Sequence, residues 1–74
     1  MRDYYIVTEI FSVDGVEEVG TKGKIITNTS GKKALERFVE LFPHLPIKAL
    51  YLVKRSCIKE MQLPKEYKNY LPNI

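Results

Sequence analysis

The chain has little of what several classes of protein require. It contains one Cys and one His in 74 residues, so it cannot form a disulfide scaffold and does not hold the four Cys or His ligands of a structural zinc site. Its longest uninterrupted apolar run is Ala49–Val53, far short of the roughly 20 residues that cross a bilayer. The composition therefore predicts no structural metal, no cofactor and no membrane partner.

The composition is nevertheless that of a globular protein. Hydrophobic residues make up 45% of the chain and the net charge is only +3, which excludes a disordered class. A chain of 74 residues predicts a single domain spanning residues 1–74. Asp3, Thr8 and Glu9 interrupt the first apolar stretch, so a signal peptide is not expected. We expect a reduced, cytoplasmic protein.

A β-hairpin is the first predicted element. Residues 3–13 alternate and are rich in β-branched and aromatic side chains, which favours a strand. Asp14 and Gly15 suit a two-residue turn that needs positive φ. Gly20 and Gly23 predict a bulge or bend in the second strand. With a two-residue turn, the predicted core face of the hairpin carries Tyr4, Ile6, Ile10, Val19 and Ile25.

A helix follows the hairpin. Thr29 or Ser30 can cap its first turn, and Pro43 ends it because the residue before a proline is pushed out of the α region. Apolar residues recur between these limits at helical spacing. They are Ala34, Leu35, Phe38, Val39, Leu41 and Phe42.

The remaining elements define the predicted topology. A third strand is expected from Ile47 to about Lys59, and Pro64 can open a short helix through Tyr70. With a right-handed crossover, these elements predict an α+β fold: a three-stranded, mainly antiparallel sheet in the order 2-1-3, with the main helix on one face. The opposite face has no obvious cover. It would carry Tyr5, Val7, Phe11, Val13, Tyr51 and Val53.

Catalytic chemistry finds little support in the residues. His44 and Cys57 are the strong candidates for a base and a nucleophile, but they lie in different elements, and no orienting group or oxyanion site accompanies them. Glu36 and Glu40 are spaced as on an ordinary solvated helix face. We therefore expect a protein that is not an enzyme and has no catalytic or metal-binding residues.

Basic residues raise the question of an anionic partner. The segment Ser30-Gly31-Lys32-Lys33 lies at a helix N-terminus, where it either contacts a phosphate or is an ordinary Ser cap with exposed lysines. The cap is the favoured alternative. Lysines near tyrosines on a sheet could also hold single-stranded nucleic acid, although +3 is a weak charge for this. The candidate anion or nucleic-acid contacts are Lys22, Lys24, Lys32, Lys33, Lys54 and Arg55.

Two segments are predicted to take part in protein–protein contacts or in packing on the sheet. Tyr67 and Tyr70 are three positions apart and either pack back on the open sheet face, the favoured alternative, or form an exposed anchor. The third strand, with the apolar run Ala49–Val53, would be an edge that can pair with a second copy and give a homodimer.

The preferred function is a small non-enzymatic protein-binding module, such as an inhibitor, adaptor or small subunit of the kind that phages and mobile elements encode. A chain this short has a thin stability margin, which a partner would improve. Tyrosines are enriched at protein interfaces. The candidate interface residues are Tyr5, Phe11, Tyr51, Val53, Tyr67 and Tyr70. The alternative function is a nucleic-acid-binding module.

Overall fold

The structure is a computed structural model that describes residues 1–15, 17–68, 70 and 72. Four strands form one sheet in the order β2-β1-β3-β4, and every neighbouring pair is antiparallel. The elements are β1 (Arg2–Ser12), β2 (Val19–Thr29), α1 (Gly31–Leu41), β3 (Ala49–Val53), β4 (Ile58–Met61) and α2 (Lys65–Lys68). The α+β class and the order of the first three strands are confirmed.

The predicted third strand is in fact two strands. A tight turn over residues 54–57 separates β3 from β4, and the backbone N–H of Lys54 donates to the carbonyl of Cys57 at 2.9 Å. This turn contains neither Gly nor Pro, so no turn signal marks it in the sequence. Because β3 pairs with β1 on one side and β4 on the other, it is not an edge. The predicted pairing of Ala49–Val53 with a second copy is therefore wrong.

The hairpin register differs from the prediction because it contains an extra residue. Val7 pairs with Gly23 whereas Glu9 pairs with Lys22, so Thr8 is an unpaired residue that forms a bulge in β1. The connection between the strands is also longer than two residues, spanning positions 13–18. As a result, three residues predicted for the core are largely exposed. They are Ile10 at 54%, Val19 at 68% and Ile25 at 62%.

A second irregularity leads β2 into α1. Arg2 pairs with Thr29 and Tyr4 with Ile26, so β2 holds one residue more than β1 at this point. Asn28 takes a positive φ of 55°, and its backbone N–H donates to Asp3 Oδ1 at 2.9 Å. The backbone bend at Asn28 thus brings the chain out of the sheet and into the helix.

α1 covers one face of the sheet. Its N-cap is Ser30, whose Oγ accepts from Lys33 N at 3.4 Å, and it ends where Phe42 N donates to Phe38 O at 2.8 Å. Leu41, which was expected on the apolar face, is 59% exposed. The core cluster contains Tyr4, Ile6, Ile26, Ala34, Leu35, Phe38, Ile47, Leu50 and Leu52.

The C-terminal segment extends this cover. Met61, Leu63, Tyr67 and Tyr70 pack against the same core cluster, which places them on the face that carries α1. The expectation that Tyr67 and Tyr70 lie on the opposite face is therefore wrong. Among the described residues, no helix is long and apolar enough to cross a membrane.

Candidate functional site: an open sheet face

The face of the sheet opposite α1 carries a row of side chains that crosses all four strands. Tyr5 pairs with Ile25 on β2 and with Tyr51 on β3, and Tyr51 pairs with Glu60 on β4. Directly paired residues point to the same side of a sheet, so these four side chains are neighbours. The rings of Tyr5 and Tyr51 have centroids 6.4 Å apart and planes tilted by 38°.

The position of the Tyr5 ring depends on a glycine. Its hydroxyl is hydrogen-bonded to Thr21 Oγ1 at 3.1 Å, so the ring extends across β2 over Gly23. A Cβ at Gly23 would lie 2.8 Å from Tyr5 Cε1 and would also overlap the carbonyl oxygen of Ile6. The missing side chain at Gly23 therefore makes room for the ring.

Further apolar side chains widen this surface. Val53 pairs with Ile58 next to the tyrosines, and Ile58 is 64% exposed. Ile10 pairs with Thr21. A shallow depression of about 210 Å³ lies between Tyr5, Thr21, Tyr51 and Ile58. We call this surface the open face. Its members are Tyr5, Ile10, Thr21, Ile25, Tyr51, Val53, Ile58 and Glu60.

The structure brings together three of the six candidate interface residues. Tyr5, Tyr51 and Val53 share the open face. Phe11 does not, because the bulge at Thr8 reverses the facing of the residues after it, and the Phe11 ring lies over Gly20. Val7 lies on the same side of β1 as Tyr5, but it and its β3 partner Ala49 are buried, so the exposed part of this face does not reach that end of β1. Val13 lies in the loop after β1.

Tyr67 and Tyr70 form a separate aromatic pair on the α1 side. Their ring centroids are 6.2 Å apart. Burial raises the pKa of Tyr67 above 10.0, and the carboxylates of Glu36 and Glu66 raise it further. Glu36 belongs to α1, so the electrostatic contact agrees with a tail packed beside that helix. This pair is not part of the open face.

The candidate anion contacts lie in three separate places. Lys22 and Lys24 alternate with Thr21 and Gly23 and so point away from the open face. Lys22 Nζ lies 3.9 Å from Glu9 Oε2, and Lys24 Nζ lies 5.1 Å from the centre of the Phe42 ring. The other candidates lie in the β3–β4 turn and in the first turn of α1. They are Lys54 and Arg55, and Lys32 and Lys33.

The aromatic and basic side chains therefore meet only along β2, where Tyr5, Lys22 and Lys24 line one depression of about 510 Å³. Tyr5 and Tyr51 occupy the open face, whereas Lys22 and Lys24 point to the face of α1. Sequence reasoning missed Ile25 and Ile58 as members of the open face. A register shifted by one residue would have placed Ile25 correctly, and recognition of the turn at 54–57 would have placed Ile58.

The potential catalytic pair is divided by a strand. His44 precedes β3 and the exposed Cys57 follows it, and five residues of β structure extend about 16 Å. Within the described ranges, no group of three or more His, Cys, Asp or Glu residues could hold a metal ion.

Comparison of the chain with protein-family models, with curated proteins and with solved structures finds no match.

Proposed function

We propose that the chain is a non-enzymatic protein-binding module whose open face docks on a partner protein. The observation that carries this proposal is that each of the four strands places an apolar side chain on the face that neither α1 nor the tail packed on the core cluster covers. Of these side chains, Ile25 and Ile58 are exposed, and Tyr5 and Tyr51 are half-buried. Such a module would act as an inhibitor, an adaptor or a small subunit. A cytoplasmic location accords with Cys57, which is an exposed free thiol.

The accessible surface area of the chain is larger than expected for a monomer, which supports a surface that a partner would cover. The chain exposes 5718 Å², whereas a monomer of this mass is expected to expose roughly 4,700 Å². The excess of about 1,000 Å² is distributed over the molecule, with contributions from side chains such as Met1 and Leu41 as well as from the open face, and it exceeds the roughly 800 Å² that one partner buries in a standard interface. The molecule measures 37 × 35 × 20 Å. This flat shape matches a sheet with a single covering layer, since packed layers lie about 10 Å apart.

The chemistry of the open face favours a protein partner over nucleic acid. Interface centres are enriched in tyrosine and depleted of charge. Here the charged member of the open face, Glu60, is acidic, and so is its neighbour Asp3, which shares the side of Tyr5 and pairs with Val53. Phosphates require cations, and the β2 lysines point to the other face.

Affinity capture with matched variants tests the proposal. Ile25→Lys places a charge at the β2 end of the row, beside Tyr5, and Leu41→Lys makes the same change at a similarly exposed position on α1. Both should leave folding stability within about 0.5 kcal/mol, because neither side chain is in the core. We expect the native chain and Leu41→Lys to retain a nuclease-resistant protein partner from a native lysate, and Ile25→Lys to lose it.

Retention of the same partner by both variants would contradict docking through the open face, and loss of the partner on nuclease treatment would favour nucleic acid. Sedimentation of the purified chain across micromolar concentrations tests whether the chain binds a second copy of itself. Self-association that Ile25→Lys abolishes would show that the partner is a second copy.

A further inference from the structure

The hairpin of β1 and β2 extends beyond the rest of the sheet. β2 pairs with β1 along the whole of Arg2–Ser12, whereas β3 pairs only with residues 3–7. The 11 residues of β1 span about 36 Å, which matches the 37 Å length of the molecule. The 5 residues of β3 span about 16 Å. We call residues 8–22 the arm, because there the sheet is reduced to two strands.

The arm leaves one edge of β1 unpaired. The ladder between β1 and β3 ends at Val7, whose carbonyl accepts from Lys48 N at 2.7 Å. Within the described part of the chain, no strand lies beside residues 8–12 on the side opposite β2. Unpaired backbone N–H and C=O groups at a strand edge are a template for a further strand. The edge therefore offers a place for one.

The apolar side chains of the arm favour such a strand. Ile10 and Phe11 point to opposite faces of the arm and are both exposed, as are Val13 and Val19. A two-stranded hairpin is only marginally stable in water. A third strand beside β1 would cover apolar surface on both faces through cross-strand pairs.

The charge of the arm determines which strand fits. The arm holds four acidic residues and one basic residue, a net charge of −3, whereas the rest of the chain holds five acidic and eleven basic residues, a net charge of +6. The arm of a second copy would carry the same negative charge and be repelled, whereas a basic strand would be attracted. The charged residues of the arm are Glu9, Asp14, Glu17, Glu18 and Lys22.

We propose that the free edge of β1 in the arm binds an extended segment of a partner protein that alternates basic and apolar residues. The side chains of an added strand alternate between the face of Ile10 and the face of Glu9 and Phe11. Apolar residues suit Ile10, and basic residues suit the Glu9 carboxylate and the Phe11 ring. Lys22 Nζ lies 3.9 Å from Glu9 Oε2 on the β2 side, so the new basic residue approaches Glu9 from the other side.

This interaction goes beyond docking of the open face. It uses the backbone edge and the charge of the arm, and of the side chains that contact the added strand only Ile10 belongs to the open face. Ile25→Lys changes the open face and leaves the edge of β1 intact, since Ile25 lies on β2. The two proposals can therefore fail separately.

Amide NMR titration of the full chain with a defined peptide tests the edge. The probe is a capped hexapeptide of alternating lysine and valine, and the matched peptide has glutamate in place of lysine. With the lysine peptide we expect saturable shifts centred on residues 9–12, together with slower hydrogen exchange of their amides. The glutamate peptide should cause no saturable shifts, because its charge has the same sign as that of the arm.

A third peptide separates strand addition from charge attraction. The lysine peptide methylated at every backbone nitrogen keeps its charges and side chains but has no N–H group to donate to a ladder. It should bind at least about tenfold more weakly than the unmethylated peptide.

Paired substitutions test the charge of the arm. Glu17→Gln with Glu18→Gln should weaken binding of the lysine peptide about fivefold at low salt, because two exposed attractions are lost. Glu36→Gln with Glu66→Gln is the matched control. It removes the same charge from exposed positions outside the arm, and binding should stay within about twofold. Ile25→Lys should also bind the peptide within about twofold of the native chain.

Five results would overturn the proposal. Saturable shifts centred on β2 or β4 would place the added strand at an outer edge of the sheet, and equal binding of the methylated peptide would show attraction without a ladder. Equal weakening by the two pairs of substitutions would assign binding to the charge of the whole protein. The fourth result is an absence of saturable shifts with about 5 mM lysine peptide, which exceeds a millimolar Kd. The fifth is self-association of the free chain that the peptide reverses, since a second copy would then occupy the edge.

Discussion

Gly20 and Gly23 occupy similar positions in β2, each beneath an aromatic ring of β1, but they have different neighbours. A Cβ at Gly20 would meet only the ring of Phe11, a side chain that is 38% exposed and can rotate away. A Cβ at Gly23 would meet the carbonyl oxygen of Ile6 as well as the Tyr5 ring. The backbone carbonyl cannot move without disturbing the β1–β2 pairing.

We therefore expect Gly23→Ala to lower the free energy of unfolding by about 1–3 kcal/mol, as overpacked sites do, and Gly20→Ala to lower it by less than about 1 kcal/mol. Chemical denaturation of both variants measures the difference. Equal losses would show that ring displacement, and not the backbone overlap at Gly23, sets the cost.

Asn28 is the non-glycine residue with positive φ among the described residues. Its φ of 55° is costly for most side chains and free for glycine. We expect Asn28→Ala to lower the free energy of unfolding by about 1–2 kcal/mol and Asn28→Gly to leave it nearly unchanged in the same denaturation measurement. A similar loss in both variants would assign the role to the asparagine side chain and not to the backbone.

At the scale of elements, we expect the docking of α2 on the core cluster through Tyr67 to be sensitive to high pH. Burial, aided by the charges of Glu36 and Glu66, raises the pKa of Tyr67 in the folded chain above 10.0. When the pH rises above about 10, the unfolded chain ionises this tyrosine first, so the stability that is present at lower pH is lost. Between about pH 8 and about pH 11, the free energy of unfolding should fall less in Tyr67→Phe than in the native chain. Unfolding free energies of both chains at the two pH values measure this difference. A difference that stays constant with pH would contradict the docking described.

The sequence predicted those elements that are marked by local signals. Asp14-Gly15 indicated the hairpin connection, and Ser30 and Pro43 marked the ends of the helix. The split between β3 and β4 was not predictable, because the turn at 54–57 is closed by a backbone hydrogen bond between residues that are not typical of turns. The elements that could be placed from the sequence are therefore those whose ends carry a turn residue, a capping residue or a proline.

The candidate site was predictable only in part for a similar reason. Strict alternation places Tyr5, Tyr51 and Val53 on one face, as the structure has them. Alternation fails beyond Thr8, where the bulge moves Phe11 to the other face. A bulge depends on cross-strand pairing, and a single strand read alone does not reveal it.

At the scale of the whole molecule, β4 is one edge of the sheet and is protected by its charges. If β4 paired antiparallel with β4 of a second copy about a two-fold axis, directly opposed residues would have to lie on the same face of the joined sheet. One residue of β4 would then lie at the axis, opposite its own copy. The two central positions of Ile58–Met61 are Lys59 and Glu60, and either would face its own copy. Like charges in direct opposition destabilise such pairs.

Removing both charges should therefore promote association through the edge. In an Ile25→Lys background, which disables the open face, we expect Lys59→Thr with Glu60→Thr to self-associate at lower concentration than the same background alone. Sedimentation velocity across micromolar concentrations measures this. Indistinguishable sedimentation of the two chains would show that something other than charge protects the edge.

The central place of β1 also determines the order in which the chain can fold. Ser12 and Val19 pair across seven positions, whereas Tyr5 and Tyr51 pair across 46, so the hairpin can close early and the β1–β3 ladder must close late. Until β3 arrives, β1 presents an unpaired edge with apolar side chains on both faces. A chain with the hairpin closed and β3 not yet paired therefore exposes more aggregation-prone edge than the native state, and we expect substitutions that slow the pairing of β3 to reduce the yield of folded protein even when they leave the native state intact.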